Sequence, residues 1–473
     1  MIAGIYFIFT GKGYSMFTDA IRRFSKDAPA AVLFRGVFAR VFSDERMDQI
    51  FRDHKERQVE SEIVFSSLIH LLAPVVSGGK ASVHASYQER EEQLGVSKQA
   101  VYDKLQGVEP SVSDALVGVP AAELAQVLIK AKATKPDPIP GYHTFVIDGK
   151  RLDGTEHRLW ETRRIKSSPL PGTVLAMLDT RLEMFVGIAS HPDAYACERK
   201  VVLPLMEKLE KGSLYLADRN FCDGPLIDCF LRKEAFFILR HHARSPRWRE
   251  VPGSRPRKVG KDVHGGTVYE QEIEVLLPDG SWHRLRRITV ELTKATRNGD
   301  TQLRLLTNLP ASVSAIAISD AYAGRWTIET CLGYVAQALN AEINTLAYPG
   351  AALLCFSLAL VLFNILSALK TLLVKFSAPA DTPELSYFYL ASEIAEARLG
   401  MEITIDDDYW TWCATLPLSE FISWIKSLAK SANLRRYRKH PRGPKRPQPK
   451  RSSGKQRAHV STHRILEGRK LLA

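Results

Sequence analysis

Three carboxylates of this 473-residue chain occupy positions from which they can act together. Asp148 closes the apolar run His143–Ile147 (HTFVI). Asp218 closes Ser213–Ala217 (SLYLA). Glu329 lies in the proline-free stretch Ala321–Leu339 (AYAGRWTIETCLGYVAQAL). The first two runs read as strands and the third as a helix. If the two strands are sheet neighbours, their ends lie side by side, and a helix crossing there adds the third carboxylate. Three converging carboxylates repel one another unless a cation neutralises them. Oxygen-only ligands select a hard ion, so Mg²⁺ is expected, with Mn²⁺ as substitute. Two such ions would activate an attacking water or hydroxyl and stabilise the leaving oxygen of a phosphodiester.

On a helix Tyr322, Arg325 and Glu329 fall on one face, opposite Ala323, Cys331, Tyr334 and Ala338. An Arg-x-x-x-Glu pair by itself serves in most helices as an i,i+4 salt bridge. Asp148-Gly149 by itself suits a turn, and Asp218-Arg219 a surface ion pair. Only the three acids taken together point to a metal-dependent site.

The elements that must position them read as follows. Residues 1–140 are mostly helical, with Val64–Ala73 a buried helix ended by Pro74. In Tyr87–Gly107, Leu94-Gly95-Val96 makes a turn, Ser97 caps a second helix, and Ala100, Val101 and Leu105 form its apolar stripe. That is a helix-turn-helix layout presenting Lys98, Gln99 and Tyr102 outward, and equally that of an ordinary helical hairpin. Lys130–Pro140 is a proline-rich linker. From Gly141 come three strands (His143–Ile147, then the hairpin Val174–Thr180 and Met184–Ser190), a helix (Glu198–Leu209), a strand, a helix and a fifth strand (Ala235–Arg240). This order suits a mixed sheet whose first three strands are antiparallel. Residues 244–310 read as a β insertion that begins with an exposed basic loop, Arg244–Lys261. Residues 371–434 are helical, and Asp406–Asp408 within them suits a solvated helix start better than a metal site.

The formal charge is +13, and Arg435–Ala473 alone holds 14 Lys or Arg against one acid, Glu467, so residues 1–434 are neutral overall. The tail is a polyanion-seeking arm expected to be disordered. The six cysteines are scattered without a C-x-x-C pair, which argues against structural zinc and disulfide frameworks and fits a cytosolic location. Ala351–Leu369 is uncharged and nearly long enough to span a bilayer. Its Ser357 and Asn364, and the absence of a second span, make it a buried core helix, so no membrane is expected as a partner.

VIDGKRLDG at 146–154, YLADRNF at 215–221 and YAGRWTIE at 322–329 resemble the three catalytic boxes of bacterial insertion-sequence DDE transposases. The similar subgroup is marked by Tyr-x-x-Arg-x-x-x-Glu-x-x-x-x-x-x-Lys. INTLAYPGAAL at 343–353 and the stretch 59–107 resemble that group as well. The resemblance implies an α/β fold with a ribonuclease-H-like catalytic domain over 141–370. It implies Asp148, Asp218 and Glu329 as catalytic metal ligands, and Tyr322 and Arg325 as contacts to transposon-end phosphates. Trp326 either stacks near an unpaired base or anchors the core. One position departs: the signature lysine is Ala336.

The expected protein is a cytoplasmic, nucleoid-associated transposase. It binds double-stranded DNA at terminal inverted repeats, cleaves it, and joins the end to target DNA as a homodimer in a synaptic complex. The alternative is a catalytically decayed remnant acting as a DNA-binding protein or repressor.

Overall fold

The computed structural model describes residues 15–59, 62–241, 245–296, 299–377, 383–440, 443 and 459–467. Seven helices come first: α1 Ser15–Asp27, α2 Pro29–Val41, α3 Asp44–His54, α4 Phe65–Val76, α5 Val83–Leu94, α6 Lys98–Gly107 and α7 Pro110–Lys130. Pro74 does not end α4 but sits in its last turn, at the cost of the one helical bond its missing N–H would make to the His70 carbonyl. The α5–α6 pair has the expected turn. Gly95 caps α5 at φ +62°, a left-handed backbone that favours glycine. The Ser97 hydroxyl accepts from the Ala100 N–H at 3.2 Å, and Val101 and Leu105 are fully buried.

The strands follow as β1 Thr144–Arg151, β2 Ser168–Leu170, β3 Thr173–Asp179, β4 Met184–His191, β5 Leu214–Ala217 and β6 Phe236–Arg240. The stretch 198–209 splits into α8 Glu198–Val201 and α9 Leu203–Glu207, and α10 is Gly224–Arg232. The single helix expected there breaks at Val202, and Pro204 stands in the first turn of the second piece, where its missing N–H costs no helical bond. β7 Trp248–Glu250, β8 Arg257–Lys261, β9 Thr267–Leu276, β10 Trp282–Glu291 and β11 Gln302–Thr307 complete one ten-stranded sheet, in the order β4-β3-β1-β5-β6-β11-β10-β9-β7, with β8 also on β9.

β1, β3 and β4 are antiparallel neighbours, as the element order implied, and β1 and β5 run parallel side by side, the condition on which the two aspartates meet. Two features differ from the reading. The expected basic loop 244–261 carries β7 and β8, paired along the outer edge of β9. The insertion also continues the main sheet, because β11 pairs antiparallel with β6.

The sheet separates two cores, as its alternation requires. Phe145, Ile147, Tyr215 and Ala217 face α8, α9 and α10. Val146, Leu214 and Leu216 face the amino-terminal helices and α13, which is preceded by α11 Ala315–Ala323 and α12 Trp326–Ala338 and spans Pro349–Phe376. Residues 351–369 of α13 are buried throughout. Asn364 accepts from the Phe185 N–H and donates to its carbonyl, both at 2.8 Å, so the polar residue inside the apolar run holds edge strand β4. A second helix long and apolar enough to span, Pro110–Lys130, does exist, contrary to expectation, and is half buried in the fold.

α14 Tyr387–Thr404, α15 Trp412–Thr415 and α16 Leu418–Ser431 close the helical layer. Asp407 of the acidic cluster binds Arg35 at 2.6 Å and Arg90 at 3.7 Å, so that acid cross-links helices. The tail is not wholly the free arm expected. Its segment β12 His459–Ser461 pairs parallel with β2, and α17 is Thr462–Leu466. Arg464 Nε lies 2.8 Å from Asp193 Oδ2 and its Nη2 donates to the Tyr195 carbonyl at 2.9 Å. Residues 441–442, 444–458 and 468–473 of the tail lie outside the described residues.

Candidate active site

Asp148 and Asp218 lie side by side on neighbouring parallel strands, but Asp148 stands inside β1 and does not end it as expected. Ile147 pairs with Ala217, so each aspartate follows a partner in register. Asp148 is the fifth residue of β1, which runs on to Arg151. Asp218 has left β5 and caps a 3₁₀ turn, accepting from the Asn220 N–H at 2.7 Å.

Glu329 arrives by a route the sequence did not show. The stretch 321–339 is two helices, not one. Between α11 and α12, the N–H groups of Gly324, Arg325, Thr327 and Ile328 bond three residues back instead of four. This tightened turn swings Arg325 inward. Its guanidinium bridges Asp148 Oδ2 (2.9 Å, Nη1) and Glu329 Oε1 (2.7 Å, Nη2). Tyr322 is buried and donates to the Ala217 carbonyl at 3.4 Å, which pins the end of α11 to β5. Of the five polar residues expected here, Asp148, Arg325 and Glu329 are in contact. Asp218 lies close enough for its charge to act on both Asp148 and Tyr322.

Tyr322 and Arg325 do not stand out as surface phosphate contacts. Their side chains are turned into the fold, with 5% and 8% of each residue exposed. Trp326 is 61% exposed and so is no core anchor. Arg325 Cζ lies 5.4 Å from its ring centroid. Ala336 is exposed, as is Asn340, whose backbone N–H is tied to the Val76 carbonyl at 2.7 Å. On α6, Lys98 and Gln99 are exposed and Tyr102 is half buried.

Burial pushes the Asp148 carboxyl up to about 6. Arg325 pulls it down, while the charges of Asp218 and Glu329 push it further up. Burial weakens the Arg325 charge, but Tyr322, Asp148 and Glu329 together raise its pKa above the ordinary value. Burial likewise raises the Tyr322 phenol, which stays protonated.

One further carboxylate was not singled out from the sequence. Glu198, at the start of α8, accepts from Asn220 Nδ2 at 3.1 Å. It also lies over Gly149, where a Cβ would come 3.5 Å from its Oε1 and 2.7 Å from Leu175 Cδ2. Glu198 thus lies against the neighbours of both aspartates. Its only signal in the sequence is an acid in a helix's first turn, which is common.

The donor set is all oxygen and carries more negative charge than Arg325 neutralises, which suits a hard divalent cation. Among the described residues, however, no three His, Cys, Asp or Glu side chains converge closely enough to hold a metal ion together. The cation that joins Asp148 to Glu329 is the guanidinium.

Residues 140–363 match the family model described as "Transposase DDE domain". The matched segment takes in Asp148, Asp218 and Glu329. Among solved structures, the chain is similar to a piggyBac transposase in a synaptic complex with hairpin DNA. The identity is 12% and the TM-score 0.40, over 85% of this chain and 86% of that one. No curated protein matches the chain.

Proposed function

We propose that the chain is a DNA transposase of the insertion-sequence type, with a ribonuclease-H-like core and the Tyr-Arg-Glu subgroup pattern. It binds terminal repeats, cuts one strand by hydrolysis, and transfers the freed 3′-hydroxyl to a second phosphodiester. The observation that carries this reading is the register of Asp148 and Asp218 on parallel strands, with Glu329 joined to Asp148 through Arg325.

Asp148, Asp218 and Glu329 would hold the divalent cations, Mg²⁺ or Mn²⁺, which when bound supply Lewis-acid activation of the attacking oxygen and neutralise charge at the phosphodiester. The chain's own residues do the rest. Arg325 pairs with Asp148 and Glu329 and holds both carboxylates in place until that charge is supplied. Tyr322 fixes α11 against β5 and so fixes the approach of Glu329. Glu198 holds Asn220, the residue whose N–H orients Asp218. Duplex DNA is held by α6 through Lys98, Gln99 and Tyr102 and by the basic tail, while Trp326 beside the site stacks near an unpaired base. Work as a homodimer in the cytoplasm, on nucleoid DNA, completes the reading.

A second reading, a decayed remnant that binds DNA without cutting it, is favoured by Ala336 and by the guanidinium seated between two of the acids. One experiment decides. The purified chain is mixed with a supercoiled plasmid carrying the DNA that flanks its gene, with Mg²⁺ or with EDTA. Nicks mapping to the ends of inverted repeats, in Mg²⁺ only, support the transposase. Footprinted ends without nicks in either Mg²⁺ or Mn²⁺ support the remnant.

A further inference from the structure

The loop of residues 152–167 leaves β1 three residues beyond Asp148 and returns at β2. It exposes Trp160 to 69%, although the residues beside it are firmly held. Leu159 and Thr162 are buried, and Thr162 Oγ1 donates to the Leu159 carbonyl at 2.9 Å. α17 packs against the same turn from the far end of the chain. The indole is therefore presented on a rigid support and not on a loose tip. Arg163 and Arg164 each place Cζ 5.9 Å from the ring centroid. With Glu161 they line an open depression of about 180 Å³. Arg163, Arg164 and Lys166 are all exposed.

Arg158 is near enough for its charge to act on the Tyr102 phenol. Lys98 and Tyr102 lie four residues apart on one face of α6, so that face and the loop are neighbours. A flat aromatic surface flanked by guanidinia matches a base stacked on the indole with its phosphates on the arginines. A base paired inside a duplex does not offer that face.

We propose that Trp160, with Arg163 and Arg164, is a stacking site for an unpaired DNA base, placed between the α6 face and the strand that carries Asp148. This rests on the reading of the chain as a DNA-binding protein but not on its being an active nuclease.

The test is fluorescence anisotropy in EDTA with the full chain. The probes are a fluorescein-labelled duplex carrying a single-stranded extension and its blunt counterpart. Wild type should bind the extended probe more tightly. Trp160→Ala should weaken that binding by about tenfold, within the range for loss of one base–aromatic stack, and change blunt-duplex binding less than twofold. Trp160→Phe should retain most of the preference. Arg163→Ala with Arg164→Ala should weaken both probes and flatten the salt dependence. An unchanged melting temperature for Trp160→Ala, expected of an exposed side chain, separates this from misfolding. The proposal fails if wild type does not prefer the extended probe, or if Trp160→Ala weakens both probes alike. Because no cleavage is read, loss of nicking activity would sink the transposase reading without touching this result.

Discussion

Arg325 and Asp148, 177 residues apart in sequence, share a 2.9 Å ion pair at the centre of the candidate site. The same guanidinium holds Glu329 at 2.7 Å, and 10% of its side chain and 17% of Asp148's are exposed. It is thus the internal counter-ion of two acids that a divalent cation would claim. Removing one partner of such a buried pair leaves an uncompensated charge, at a cost of about 3–5 kcal/mol. Arg325→Met should therefore lower the melting temperature in EDTA. Mg²⁺ should restore more of the loss in the variant than it adds to wild type, since binding to the folded state stabilises it by mass action. Equal Mg²⁺ shifts for both proteins would show that metal and guanidinium do not compete.

A half-buried acid on α7 gives the fold a pH dependence. Asp114 on α7 accepts from the Ser190 N–H at 3.1 Å and from its hydroxyl at 2.6 Å. Burial raises its carboxyl to about 7, against the hydrogen bonds from Ser190. Between the unfolded value near 3.9 and about 7, the folded state binds more protons than the unfolded one. The stability this group contributes is therefore full below about pH 4 and is lost as pH rises through 7. Asp114→Asn, which keeps a carbonyl acceptor without the charge, should be more stable than wild type at pH 8, by up to roughly 4 kcal/mol. The gap should close towards pH 4. Urea melts at the two pH values measure it, and a gap that widens on acidification would contradict the assignment.

The tail should set the salt dependence of DNA binding. Residues 441–458 hold seven Lys or Arg and no acid. Changing those seven to Gln leaves β12 and α17 intact. It should reduce the slope of log affinity against log salt by up to about six. Sequence preference should survive, because phosphate contacts position and base contacts specify. An unchanged slope would mean that the tail does not touch DNA.

Ala336 stands where the signature has lysine, and it is exposed on α12. Ala336→Lys should leave the unfolding free energy within about 0.5 kcal/mol of wild type, as surface changes do. It should tighten binding to the transposon end and steepen its salt slope by about one. Asn340→Ala, also at an exposed side chain, should weaken end binding by roughly 1 kcal/mol. A destabilised Ala336→Lys with no change in slope would mean that the position packs against protein and not DNA.

The framework of the site was legible because Asp148 and Asp218 each follow an apolar run, and the two acids meet once those runs are taken as sheet neighbours. The approach of Glu329 was not. A straight helix through 321–339 turns Tyr322 and Arg325 outward. The tightened turn at Gly324-Arg325 turns them in, and neither residue type forces that break; it is held by packing against β1 and β5. Glu198 was hidden because only tertiary structure carries α8 beside Gly149. The docked end of the tail was hidden for a similar reason. It rests on two three-residue strands and on Arg464 reaching Asp193 across 271 residues, while composition there reports only charge.

The most direct measurement is Mg²⁺-dependent nicking of end-bearing plasmid by Asp148→Asn, Asp218→Asn and Glu329→Gln, read beside binding to the same DNA by anisotropy in EDTA. On the proposed roles, each change removes a metal-binding charge and no DNA contact. All three variants should therefore lose nicking while keeping end affinity within a few-fold of wild type. Full nicking by any one of them would remove that residue from the site, and full nicking by all three would contradict the carboxylate mechanism itself.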